Sequence, residues 1–113
     1  MKTHKELEDY ILSLDDARLD FPFGESTSVY RLNEEGDDKM FALIDNNARP
    51  IRLSLKCDPL LAEKLRQDYE TVLPGYHLNK KHWNTIICTG QVPDDELRSL
   101  ILISYNLAKG VKF

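Results

Sequence analysis

Hydrophobic positions recur along this chain with two periods, and the switches between them divide it into helices and strands. Leu7, Tyr10, Ile11 and Leu14 stand at i, i+3, i+4 and i+7, the stripe of an amphipathic helix. Thr3 followed three residues later by Glu6 is a capping box that satisfies free N–H groups at a helix start, so a first helix is predicted to run to about Leu14. Asp15, Asp16 and Asp20 crowd the connection that follows. Phe21-Pro22-Phe23-Gly24 breaks any helix and is expected to lay two aromatics on an apolar surface. Three β signals come next: β-branched and aromatic Thr27–Leu32, nearly continuous apolar Lys39–Ile44, and Ile51, Leu53 and Leu55 alternating with Arg52, Ser54 and Lys56. The turns between them, at acid-rich Gly36 and at Asp45-Asn46-Asn47, are short, which predicts an antiparallel meander.

Asp58-Pro59 is an N-cap followed by proline at the first helical position. Leu61, Leu65 and Tyr69 form the apolar stripe of this second helix, and Glu63, Lys64, Arg66 and Asp68 are expected to be solvated. Pro74-Gly75 ends the region. A strand is predicted near Thr85–Thr89, closed by Gly90, and a last helix opens at Pro93-Asp94-Asp95-Glu96, where acids favour a helix N-terminus. Its buried face is Leu97, Leu100, Ile101, Ser104, Tyr105 and Ala108, and Lys109-Gly110 stops it. The order α-β-β-β-α-β-α, with room for one more short strand around Tyr76–Leu78, is an α+β domain spanning residues 1–113. Its expected core includes Leu7, Ile11, Leu53, Leu55, Leu61, Leu65, Ile86, Leu97 and Ile101.

Composition changes this picture little. A chain of 113 residues, 42% hydrophobic and 30% charged, buries one real core without disulfides or metals. Cys57 and Cys88 stand far apart in no metal-binding pattern and are expected to stay reduced. Met1, Lys2 and Thr3 lead straight into a helix pattern with no signal peptide, and the longest apolar run, Leu100–Ile103, is too short to cross a bilayer. A cytoplasmic monomer away from membranes is the expectation. The net charge of −4 argues against a polyanion partner, but its distribution is uneven. Between Asn46 and Asn84 seven Lys/Arg face four acids, a net of +3, and the rest of the chain carries −7. That asymmetry permits one mildly basic face on an acidic protein.

The densest chemistry lies between Gly75 and Thr85, where two lysines, two histidines, two asparagines and two large aromatics fall within eleven residues. Lysine attracts phosphate, asparagine reads a base edge or caps a turn, and aromatics stack on bases. The alternative is a long loop pinned to the core by Tyr76, Leu78 and Trp83 with its lysines merely solvated. His77 and His82 are five apart, which suits no helical metal pair. Glu34, Glu35, Asp37 and Asp38 around Gly36 lack calcium-loop spacing. No nucleophile signature and no glycine-rich phosphate loop occurs. No catalytic residue, metal ligand or cofactor is therefore assigned, and an enzyme is not expected.

Four segments, F-P-F-G-E (21–25), S-L-K-C-D-P (54–59), P-G-Y-H-L-N-K-K-H-W-N-T (74–85) and V-P-D (92–94), resemble the MmcQ/YjbR family over nearly the whole chain. The resemblance implies a two-layer α+β fold of the CyaY-like, secretion-chaperone-like kind, with three helices on one side of a mainly antiparallel sheet. Members are commonly described as DNA-binding, and related folds serve as secretion chaperones that hold partner peptides. The family offers no agreed catalytic residues. What carries over is a candidate surface at Asn79, Lys80, His82, Trp83 and Asn84. Two functions follow as expectations. One is weak, salt-dependent DNA binding, with Arg49, Arg52, Lys56, Lys80 and Lys81 on phosphates. The other is a protein-interaction module that holds a partner segment on its exposed sheet face or edge. Convergent cations would favour the first and an apolar groove the second.

Overall fold

The computed structural model describes residue 1 and residues 3–110, with Asp37 described by its backbone alone. The chain runs α1 (His4–Leu12), β1 (Ala17–Asp20), β2 (Thr27–Leu32), β3 (Met40–Asp45), β4 (Arg52–Lys56), α2 (Pro59–Asp68), β5 (Val72–Pro74), β6 (Trp83–Ile87) and α3 (Asp94–Ala108). The strands form one six-stranded sheet in the order β1-β2-β3-β4-β6-β5, every pairing antiparallel. This is the expected α+β architecture, with one strand more than the pattern showed. β1 lies where acids suggested only a connection. Four residues are too few for alternation to register, yet Ala17 and Leu19 pack on the core while Arg18 points to solvent. The extra strand foreseen at Tyr76–Leu78 lies instead at Val72–Pro74.

The alternation sorts the sheet into two faces. Tyr30, Leu32, Ala42, Ile44, Leu53, Leu55, Val72 and Ile86 share one core with Leu7 and Ile11 of α1, Ala62 and Leu65 of α2, and Leu97, Leu100, Ile101 and Tyr105 of α3. The other face carries a smaller cluster, Val29, Leu43 and Trp83, with Met40 and Leu78 packed against it. Of the expected core residues only Leu61 is not fully buried. Phe21 and Phe23, expected to lie on an apolar surface, are exposed at 44% and 59%. They come from the β1–β2 loop, and a tight turn there, Gly24 at φ +96°, keeps them at the rim. No helix among the described residues is long and apolar enough to cross a membrane.

Hydrogen bonds fasten each helix at a defined place. Thr3 Oγ1 caps α1 by accepting from Glu6 N at 3.2 Å, and Asp58 Oδ1 caps α2 through the N–H groups of Leu60 and Leu61. The Tyr30 hydroxyl donates to the Glu8 carboxylate of α1. Burial first, and that carboxylate second, push the phenol well above its ordinary range. At α3, Ser104 is wholly buried where β3 and β4 separate. Its hydroxyl donates to the Phe41 carbonyl and accepts from Lys56 N at 2.8 Å, so one side chain satisfies a group on each strand. Phe41 meets Tyr105 edge-on at 5.4 Å beside it.

The two thiols lie at opposite ends of the β4–β6 pair, since Cys57 N bonds the His82 carbonyl and Cys88 N bonds the Ile51 carbonyl. Five residues of strand, about 17 Å, separate those positions, far beyond disulfide reach. Both are free and buried, and desolvation raises each from 9.0 to about 11, with the Asp58 carboxylate adding to it at Cys57.

Two outcomes follow from this packing. Ser104→Val leaves the Lys56 N–H and the Phe41 carbonyl without a partner, so urea denaturation should show a loss of roughly 1–3 kcal/mol; an unchanged midpoint would refute the bridging role. Native protein at pH 8 should resist alkylation by iodoacetamide at Cys57 and Cys88, while urea-unfolded protein is labelled at both. Rapid labelling of the native state would contradict the burial of the thiols.

Candidate functional site

On the helix-free face the strand register sets side chains in rows. Thr27, Asp45 and Arg52 stand opposite one another across β2, β3 and β4. Two residues along, about 7 Å, Val29, Leu43, Ser54 and Thr85 form the next row across β2, β3, β4 and β6. The first row carries two opposite charges beside Thr27, and the second is apolar at Val29 and Leu43 and hydroxylic at Ser54 and Thr85. The segment between β5 and β6 folds over part of this face, and together with the β1–β2 loop it makes a groove of about 430 Å³. Phe23, Leu43, Tyr76 and Leu78 supply its apolar walls, and Arg52, Asp45, Asn47, Ser54, Thr85 and His77 its polar groups.

Several contacts hold the covering segment in place. Gly75 N donates to the Trp83 carbonyl at 2.8 Å, and a Cβ on Gly75 would fall 2.6 Å from Trp83 Cβ, so only glycine fits this approach. Tyr76 N donates to Thr85 Oγ1 at 3.2 Å, and the Thr85 and Ser54 hydroxyls bond each other at 2.8 Å. His77 adopts φ +59°, an uncommon backbone state for a residue with a side chain, and turns the chain so that its ring lies 3.9 Å from that of Tyr76. From α2, Arg66 donates through Nε to Asn84 Oδ1 at 2.7 Å and through Nη2 to the carbonyls of Lys80 and Trp83. Arg66 was expected to be solvated; it is half-buried, because these three acceptors converge beneath α2.

The nine residues that sequence nominated do not gather on one surface. Arg49 lies in the β3–β4 connection, with its guanidinium on the carbonyls of Asn46 and Ala48, beside a separate depression lined by His4, Glu8 and Phe21. Arg52 lines the groove, exposed, and its guanidinium has no hydrogen bond or ion pair among the described residues. Lys56 is half-buried, lies 5.7 Å from the Trp83 ring centre and donates to the Asp38 carbonyl at 2.7 Å. Desolvation lowers its pKa, Asp38 opposes that shift and Lys39 adds to it. Asn79 caps a turn by accepting from Lys81 N, and Lys80 Nζ reaches the Gly75 carbonyl at 3.4 Å. Lys81 and His82 are exposed, with no side-chain partner among the described residues. Trp83 and Asn84 are 6% and 2% exposed. Trp83 packs with Val29 and Leu43, and Asn84 also donates to the Ala62 carbonyl, so neither offers a free face to a base.

Phe23, Leu43, Asp45, Ser54, Tyr76 and Thr85 were not among the nominated site residues, although the sequence marked Phe23 and Tyr76 as aromatics that would pack on the domain. Alternation along β3, β4 and β6 puts Leu43, Asp45, Ser54 and Thr85 on one face, but only the register joins them across strands. Trp83→Ala empties a buried aromatic position, and the expected cost is about 3–5 kcal/mol of stability in chemical denaturation. A loss under about 1 kcal/mol would mean that Trp83 does not staple this segment.

Comparison with known proteins agrees with this fold. A family model described as YjbR matches residues 12–107. The uncharacterized protein YjbR of Escherichia coli (strain K12) is 40% identical over 72 residues, a match covering 64% of this chain and 61% of that relative's length. The uncharacterized protein YyaQ of Bacillus subtilis (strain 168) is 31% identical over 100 residues, covering 80% of this chain and 84% of the relative. The crystal structure of Deinococcus radiodurans protein DR2400 superposes with a TM-score of 0.90 at 40% identity, covering 99% of this chain and 83% of that one. A crystal structure from Pseudomonas syringae gives a TM-score of 0.77 at 27% identity, covering 94% of this chain and 98% of that one. The chain belongs to the YjbR family.

Proposed function

We propose that this protein is a non-enzymatic binding module that buries an apolar group of a partner molecule in the groove on the helix-free face. The observation that carries the reading is the groove itself, with Phe23, Leu43, Tyr76 and Leu78 forming apolar and aromatic wall beside a set of polar side chains at defined places. A non-catalytic role is supported by two of the hydroxyls that line it, Ser54 and Thr85. Ser54 and Thr85 bond each other, and Thr85 also bonds the Tyr76 N–H, so neither is activated by a base. Burial of Trp83 and Asn84, and the engagement of Lys56 and Lys80 with backbone carbonyls, leave fewer groups for a polyanion than the sequence offered.

Weak DNA binding is the second reading, favoured by exposed Lys81 and His82 beside Lys80 at the end of the covering segment. Its electrostatics are distinct, because each lysine on a phosphate adds about 1 to the log–log salt slope.

Two-dimensional amide NMR separates the readings. Indole, a neutral aromatic probe, should shift Leu43, Ser54, Tyr76 and Leu78 saturably, and Tyr76→Ala should weaken this with the fold intact, since Tyr76 is 64% exposed. A DNA duplex or single strand should leave those signals alone. Shifts confined to Asn79–His82 that fall steeply with salt, and that Lys80→Ala with Lys81→Ala removes, would instead establish the second reading. Indole shifts absent from the groove would overturn the first.

A further inference from the structure

We propose that the groove binds a free, zwitterionic α-amino acid with a large apolar or aromatic side chain. The inference rests on the groove being the working surface and adds the chemistry of its ligand. Asp45 and Arg52 stand directly opposite on β3 and β4 and point to the same face. Residues so paired have Cα atoms about 5 Å apart. Yet the two charges form no ion pair with each other. Asp45 accepts one bond, at Oδ1 from Asn47 N at 2.9 Å, and its second oxygen has no partner among the described residues. The Arg52 guanidinium has none at all among them. One end of the groove therefore offers an unused anion acceptor and an unused cation donor side by side.

The other end lies one row along, about 7 Å away, where Leu43 forms the floor and Tyr76 and Leu78 the cover. A complementary ligand carries both charges on one small head and an apolar body extending from it. An α-amino acid has that form, with its carboxylate meeting the planar guanidinium in a two-bond contact and its ammonium meeting Asp45. The alternatives each meet a repulsion. A simple anion such as a fatty acid or a phosphodiester would face Asp45, and an amine would face Arg52. The volume of about 430 Å³ is that of a small-ligand site.

Amide NMR or calorimetric titration with L-phenylalanine, N-acetyl-L-phenylalanine and L-phenylalanine amide tests the assignment on the intact protein. L-phenylalanine should bind saturably and shift Leu43, Asp45, Arg52, Ser54 and Tyr76. The acetylated and amidated forms each leave one charge of the protein unmatched and should bind about tenfold or more weakly. Asp45→Asn should erase the discrimination against the acetylated form, and Arg52→Gln that against the amide. Should either variant fail to fold, the three-ligand comparison on the unaltered protein decides alone. Equal affinity for the three ligands would overturn the proposal. If indole shifts the groove and L-phenylalanine does not, the groove stands as the binding surface and the zwitterion falls. If neither binds, both fall.

Discussion

The Arg66 guanidinium is the contact on which the candidate site depends. It extends from α2 to the Asn84 side chain and to the carbonyls of Lys80 and Trp83, so one planar group with several donors ties the end of the β5–β6 connection, at Lys80, to the first two residues of β6. Asn84 relays the hold by donating to the Ala62 carbonyl of the same helix. Two of these acceptors, on Trp83 and Asn84, belong to buried residues and are costly to leave unpaired, which favours the segment staying where it is. The close approach of Gly75 to Trp83 and the bond from Tyr76 N to Thr85 continue the same hold onto the sheet. Tyr76, His77 and Leu78 are thereby fixed above the helix-free face.

A sheet covered by helices on one side leaves its other side to be managed, and this molecule does so unequally. Toward β6, Trp83, Leu43 and Val29 bury one another under Leu78. Toward the β3–β4 end, the row of Thr27, Asp45 and Arg52 stays open, with aromatic side chains at its margins. The apolar cluster supplies stability, and the open row supplies unused hydrogen-bonding capacity. Binding sites commonly combine these two properties, a rigid floor and unsatisfied polar groups at a defined distance.

Charge bears on the same point. The excess of cations between Asn46 and Asn84 is real in the sequence, but folding divides it among different tasks. Arg66 holds backbone, Lys56 lies over Trp83 and bonds the Asp38 carbonyl, Lys64 pairs with Asp68 on the surface of α2, and Arg49 bonds its own turn. Apart from consecutive Lys80 and Lys81, the cations of this segment are not gathered in one place, because α2 and the strands carry them to different sides. A net count over a segment therefore overstates the basic surface that a partner would meet.

The sequence by itself determined the periodic elements: α1 and α2 with their Thr3 and Asp58 caps, α3 with its buried stripe down to Ser104, and the meander β2-β3-β4. It also carried the family, through segments spread along the chain. These are legible because helix and strand periods, caps and turn residues are local, each needing only neighbours within a few positions. It missed β1 and misplaced β5, both too short for a period to register. It could not show that Arg66 points inward, that Trp83 and Asn84 are buried, or that Asp45 and Arg52 face each other beside an apolar groove. Those relations join residues from separate elements. They exist only once strand register and helix packing have brought the elements together, so tertiary structure alone decided the site.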